Sequence, residues 1–293
     1  MSRSTKDESP QIFLHIILIG FTLLTIYPIM WVCTIAFSGR QLLVIRHVPK
    51  DPTFFDRLKA VIPWPEQVSL TNFVEVITQK NFLVWMGNSA IVAAMTTLLG
   101  VFLSCTAAYA FSRFRFPGRR TGLMSFLVSQ MFPGTLMMVP LYIIVVQWLG
   151  LGNNYLGVVL VYTTTAIPFC VWMLKGYFDT IPIEIEESAI MDGASRSMIF
   201  FRIILPLAKP AISVTALFSF MTGWNEFIIA SLLMESEKMY TAPVGLKFFV
   251  GEHATQWGYF AAGSIIVSIP VVVLFMYTQK YLVSGLTAGG VKG

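Results

Sequence analysis

The chain has 293 residues, of which 56% are apolar and only 12% charged, with a net charge of +5. That balance, with a mean hydropathy of +0.72, excludes an ordinary soluble domain. The modest positive charge comes without a basic-aromatic surface segment, so nucleic acid is not an expected partner.

The apolar residues fall in long runs, and the expected fold is all-α and integral to the membrane, with six transmembrane helices solvated by lipid. Met1–Pro10 is polar and reads as a short cytoplasmic tail. Gln11–Phe37 is the first span, long enough for the roughly 30 Å of hydrocarbon. It is too long for a signal peptide and lacks a clean cleavage site. Pro28 is expected to kink it. Gly39–Phe82, with Pro49, Pro52, Pro63 and Pro65, reads as an outer loop with an amphipathic piece at Leu70–Ile77.

Leu83–Phe111 is the second span. Arg113, Arg115, Arg119 and Arg120 follow it in one short loop, which the positive-inside rule places in the cytoplasm. The arginines have no Gly-rich phosphate cradle beside them, so they are read as an orientation signal. Leu123–Leu149 is the third span, broken at Pro133-Gly134 and Pro140, and Tyr155–Leu174 is the fourth. After the inner loop come a fifth span at Ala211–Met234 and a sixth at Trp257–Leu282. The tail Val283–Gly293 then lies inside, so both termini are cytoplasmic. Trp31, Trp85, Trp148 and Trp257 fall near outer boundaries, as an aromatic belt requires.

The inner loop Glu184–Pro210 is the long polar interruption in the apolar second half. It reads as a helix, a Gly turn and a second helix. Asp179 and Thr180 are candidate caps, with Pro182 in the opening turn. Glu184, Glu186 and Glu187 sit where the helix dipole favours negative charge. Ile183, Glu187, Ile190 and Met191 share a face that is both acidic and apolar. The small residues Ser188, Ala189 and Ala194 let a partner approach closely. Gly193 supplies the turn and Ser195 caps the second helix, which Pro206 ends or kinks. Pro210 suits the first turn of the next helix.

This loop resembles the EAA loop of bacterial ABC importer permeases. The matching residues are Glu187-Ser188-Ala189, Asp192-Gly193-Ala194 and Ile203-Ile204-Leu205-Pro206, with Ser188 where the pattern has Ala. The likeness extends more loosely over Trp85–Gly293. The tail Gly285-Leu286-Thr287-Ala288-Gly289-Gly290-Val291-Lys292-Gly293 resembles the end of maltose/maltodextrin-type permease subunits. The resemblance implies a sugar importer in a bacterial inner membrane. Its implied partners are a second permease subunit, two ABC ATPase subunits and an extracytoplasmic sugar-binding protein. ATP and Mg would be used by the ATPase. The residues it implies for ATPase coupling are Glu184, Glu187, Ser188, Ala189, Asp192, Gly193, Ala194, Ile203, Leu205 and Pro206.

The chain itself offers no catalytic chemistry. It has no GxxxxGK[ST] phosphate loop, and His15, His47 and His253 are scattered. Cys33, Cys105 and Cys170 lie in apolar runs without metal spacing and read as packing residues. No cofactor or metal is therefore expected on this chain. Glu226, in Trp224-Asn225-Glu226, is the exceptional charge within a span. Two readings stay open: the three residues line a sugar pathway, or they make structural bonds between helices. An ion-coupled secondary transporter is the alternative from another class, with Glu226 its sole support. A membrane enzyme would need a clustered polar site that the sequence lacks.

Overall fold

The computed structural model describes residues 9–43, 53–65, 67–79, 81–251 and 255–290. The expected polar start up to residue 8, and Lys292 in the tail, lie outside the described residues. Among the described residues the structure is helical, with no strand beyond the isolated Val250–Thr255 bridge. Contacts divide the chain into two units, residues 1–80 with 246–266 and residues 81–245 with 267–293.

The first unit contains α1 (Ser9–Phe37), α2 (Phe54–Val61) and α3 (Thr71–Gln79). α1 runs unbroken through Pro28, with apolar side chains exposed along most of its length. α2 was not expected in the outer loop. It starts on a capping box, in which the Thr53 hydroxyl accepts from the Asp56 N–H and Asp56 accepts from the Thr53 N–H. α3 covers the expected amphipathic piece. Its buried Asn72 donates to the Ala36 carbonyl at 2.9 Å and accepts from Gln41 at 2.8 Å.

The second unit is built on α4 (Phe82–Arg113), α7 (Tyr155–Phe178) and α10 (Lys209–Asn225), each packed on the other two. Close approach of α4 and α10 depends on small residues, as in lipid, where water gives no hydrophobic drive between helices. A Cβ on Gly223 would lie 3.0 Å from Ala93 Cα, and one on Gly100 would lie 3.1 Å from Ser219 Oγ. The last helix, α12 (Trp257–Gly290), continues as helix through most of the expected tail.

Among the described residues four helices are long and apolar enough to cross a membrane: Ile12–Phe37, Phe82–Arg113, Tyr155–Phe178 and Trp257–Tyr281. Two bent helix pairs pass the same test together and bring the number to as many as six; in the second pair α10 belongs to the fifth span and the helix before it to the inner loop. The third span is not one rod: α5 (Arg119–Gln130) and α6 (Gly134–Trp148) meet at 97°. Pro133 forces this bend, because it has no N–H to return to the preceding turn and pushes Phe132 out of helical geometry. Pro140 does not break the chain again, since it lies inside α6.

The fifth span also differs from the expectation of a helix over 211–234. α10 ends at Asn225, Glu226 is extended, and α11 (Ile228–Leu233) starts anew. At the other end, α9 (Arg196–Leu207) meets α10 at 81°. Pro206 does not end α9. The backbone before it opens into a π turn at Phe200–Ile204, which absorbs the missing N–H, and the bend falls two residues later at Ala208. Pro210 occupies the first turn of α10 as expected. Trp85 is not a belt residue. It is fully buried against Gly245, and its Nε1 donates to the Glu237 carbonyl at 2.8 Å.

Candidate functional site

The loop between the fourth and fifth spans consists of α8 (Ile183–Met191), a turn, and α9. The expected caps are corrected by the structure. Pro182 itself occupies the position before the first helical residue, and it has no side chain with which to cap. Asp179 and Thr180 belong to the end of α7, where Thr180 Oγ1 donates to the Tyr177 carbonyl at 2.7 Å. The turn is as the sequence implied. Gly193 has φ +83°, its N–H reaches Ile190 O at 2.9 Å, and the Ala194 N–H reaches Ala189 O at 2.9 Å. That pair of bonds is a Schellman motif, and it needs a residue comfortable at positive φ. Ser195 then caps α9 by accepting from the Met198 N–H.

The loop has two faces. Glu184, Glu187, Ser188, Asp192, Gly193 and Pro206 are exposed, and so are the apolar side chains of Ile183, Ile190 and Met191, the last at 87%. Ala189, Ala194, Ile203 and Leu205 instead pack against a buried cluster that includes Tyr109, Leu174, Phe178, Ile199, Phe200 and Ile204. So two of the three small residues expected to admit a partner, Ala189 and Ala194, serve the loop's own seating. The exposed face carries carboxylates interleaved with large apolar groups, with no ion pair to neutralise them among the described residues.

Sequence reasoning missed the residue that holds this loop. Glu186 is buried, about 100° around the helix from the exposed Glu187. It accepts from Arg113 Nε at 2.5 Å and from the Tyr109 hydroxyl at 2.8 Å. Arg113 also donates to the Ile181 carbonyl at 2.8 Å. Arg113 is therefore more than an orientation signal, whereas Arg115 and Arg120 remain exposed. Beside it, Asp179 accepts from Ser112 at 2.6 Å and from Lys175 at 2.5 Å. Burial pushes the Asp179 carboxyl up, but these two bonds outweigh it and hold the group below its ordinary value. A Tyr and an Arg four residues apart at the end of a span, facing a loop of acids, were the available signal.

The three residues weighed for a pathway are placed as follows. Trp224 is 2% exposed, stacked on Phe220 and bonded through Nε1 to the Val267 carbonyl at 3.0 Å. Glu226 accepts from the Ile229 and Ala230 N–H groups, capping α11, and from the Tyr162 hydroxyl at 2.6 Å. Asn225 alone of the three is exposed. The contacts of Trp224 and Glu226 are the structural bonds that the sequence left open. No group of three or more metal-type ligands occurs among the described residues.

Residues 98–287 match the family described as "Binding-protein-dependent transport system inner membrane component". The chain belongs to that family. It is thus an ABC importer permease of the multi-pass inner-membrane type, with its loop between the fourth and fifth of six spans. Over 285 residues the permease is 37% identical to the galactooligosaccharides transport system permease protein GanQ of Bacillus subtilis (strain 168), covering 96% of this chain and 95% of that protein. It is 36% identical to the maltose/maltodextrin transport system permease protein MalG of Vibrio vulnificus (strain YJ016), covering 95% of each. Its fold resembles a chain in the crystal structure of a bacterial ABC transporter involved in the import of the acidic polysaccharide alginate. There the TM-score is 0.77 at 22% identity, over 96% of this chain and 99% of that one.

Proposed function

We propose that this permease is one of two membrane subunits of a sugar importer, and that the exposed face of α8 seats in a groove on an ABC ATPase. The observation that carries this is the two-faced loop: carboxylates and apolar groups outward, a fixed hydrophobic base inward. Such a surface is costly to leave in water and suits a partner that offers both cations and an apolar groove. Glu187 and Asp192 pair with the partner, Ile183, Ile190 and Met191 fill its groove, and Gly193 sets the angle between the two halves. The remaining partners are a second permease subunit, a second ATPase and an extracytoplasmic sugar-binding protein. ATP and Mg are held by the ATPase pair, and this chain binds no cofactor. Closure of the pair draws the loops together, and the spans alternate between inward- and outward-open states.

The reading of the substrate class is supported by the named relatives, permease proteins of a galactooligosaccharides and a maltose/maltodextrin transport system. A maltose-type or related oligosaccharide is our assignment. Asn225 lines the pathway, while Trp224 and Glu226 hold the helix break that presents it. Both termini are cytoplasmic.

The test is co-purification of the tagged permease, in mild detergent, from its native host, with the bound ABC ATPase identified. Wild type should retain the ATPase, and Glu187→Arg combined with Asp192→Arg should lose it while still reaching the membrane. Gly193→Pro cannot adopt the observed φ, so it should keep the membrane domain yet uncouple ATP hydrolysis from uptake. Full binding by the double variant, or coupled transport by Gly193→Pro, would sink the docking assignment.

A further inference from the structure

The coupling loop is bonded to a span that is remote in sequence. α8 follows α7 directly, so a link to α7 is guaranteed by the chain. The link to α4 is not, and it is made by Tyr109, Ser112 and Arg113, which stand at helical spacing on one face of the last turns of α4. Tyr109 and Arg113 hold the two oxygens of Glu186, Arg113 holds the Ile181 carbonyl, and Ser112 holds Asp179. The Tyr109 ring is also wedged between Phe178 and Phe200, 6.3 and 4.9 Å away between centroids.

The charges in this knot are expensive. The Arg113 and Glu186 side chains are only 7% and 3% exposed. A buried ion pair gains little over an apolar pair of the same volume, because desolvation offsets the attraction. What the pair provides is geometry: it admits one register of α8 against α4, where an apolar contact would tolerate sliding. The adjacent acids divide the work, with Glu186 turned inward and Glu187 outward.

Building on the coupling role given to the loop above, we propose that Tyr109, Arg113 and Glu186 are positioning residues. They lock α8 to α4, so that displacement of the coupling helix moves the second span as one body. Without them the ATPase still docks, but its motion is lost between loop and span.

The experiment uses the full importer complex with spin labels at Ile185 on α8 and Leu98 on α4. Both are exposed, and Ile185 lies on the side of α8 away from Glu187. Distances are measured by pulsed electron resonance, nucleotide-free and after trapping with ATP and vanadate. In wild type the Ile185–Leu98 distance should be the same in both states. In Tyr109→Phe with Glu186→Gln it should shift on trapping, with the ATPase still bound. ATP-driven uptake relative to hydrolysis should fall about tenfold, the size of a typical coupling free energy. Tyr109→Phe alone removes one hydroxyl and is the variant to use if the pair fails to assemble. A wild-type distance that changes on trapping, or variants whose distance stays fixed, overturns the lock while leaving the docking role intact. A wild-type permease that does not retain the ATPase overturns both.

Discussion

Glu226 shows how far a side chain's surroundings decide its role. A carboxylate in an apolar run points to function by default. Here it takes two backbone N–H groups and a tyrosine hydroxyl, which spend its acceptor capacity on starting α11. Glu226→Ala should therefore destabilise the chain by about 1–2 kcal/mol, the cost of a lost helix cap. Glu226→Gln, which keeps one acceptor oxygen, should fall between it and wild type. Thermal melting in detergent measures both, and an unchanged transition for Glu226→Ala would return the carboxylate to the pathway.

At the scale of elements, α4 and α10 meet at glycine and at small hydroxyl residues. Gly223 approaches Ala93 so closely that any larger side chain must separate the helices. Gly223→Leu should cost about 1–3 kcal/mol by overpacking. The control is Gly87→Leu, where nothing lies within 4 Å and the helix gains a better helix former. Loss of folded yield for the first variant but not the second would confirm that the contact, and not the substitution type, is responsible. The same principle separates the prolines. Pro28 and Pro168 sit inside unbroken helices, Pro206 is absorbed by a π turn, and Pro133 breaks its span. Proline identity does not choose among these outcomes; whether neighbouring backbone can re-satisfy the freed carbonyl does.

For the whole molecule, the decisive question is which side the loop faces. The positive-inside rule, applied to the four arginines beside the end of α4, predicts the cytoplasm. Met191→Cys, at the most exposed apolar residue of the loop, should react with an impermeant maleimide in inside-out vesicles stripped of the ATPase, which otherwise covers it, and not in intact cells. Cys105 and Cys170 are buried, so background labelling from them should be small. Labelling in intact cells would invert the topology and remove the loop from the ATPase.

The run lengths, the loop motif and the position of Gly193 were determined by sequence alone. Each rests on a local requirement: enough apolar residues to span lipid, a helix period, and a backbone angle that glycine adopts freely. The unexpected α2 was also locally written, in its Thr53–Asp56 capping box. Only the tertiary structure decided which of two adjacent glutamates turns inward, that Arg113 reaches it across 73 residues, and that Trp224 and Glu226 are held by other helices. Those are pairings between segments distant in sequence. Burial assigns them partners, and no periodicity within one segment encodes a partner in another.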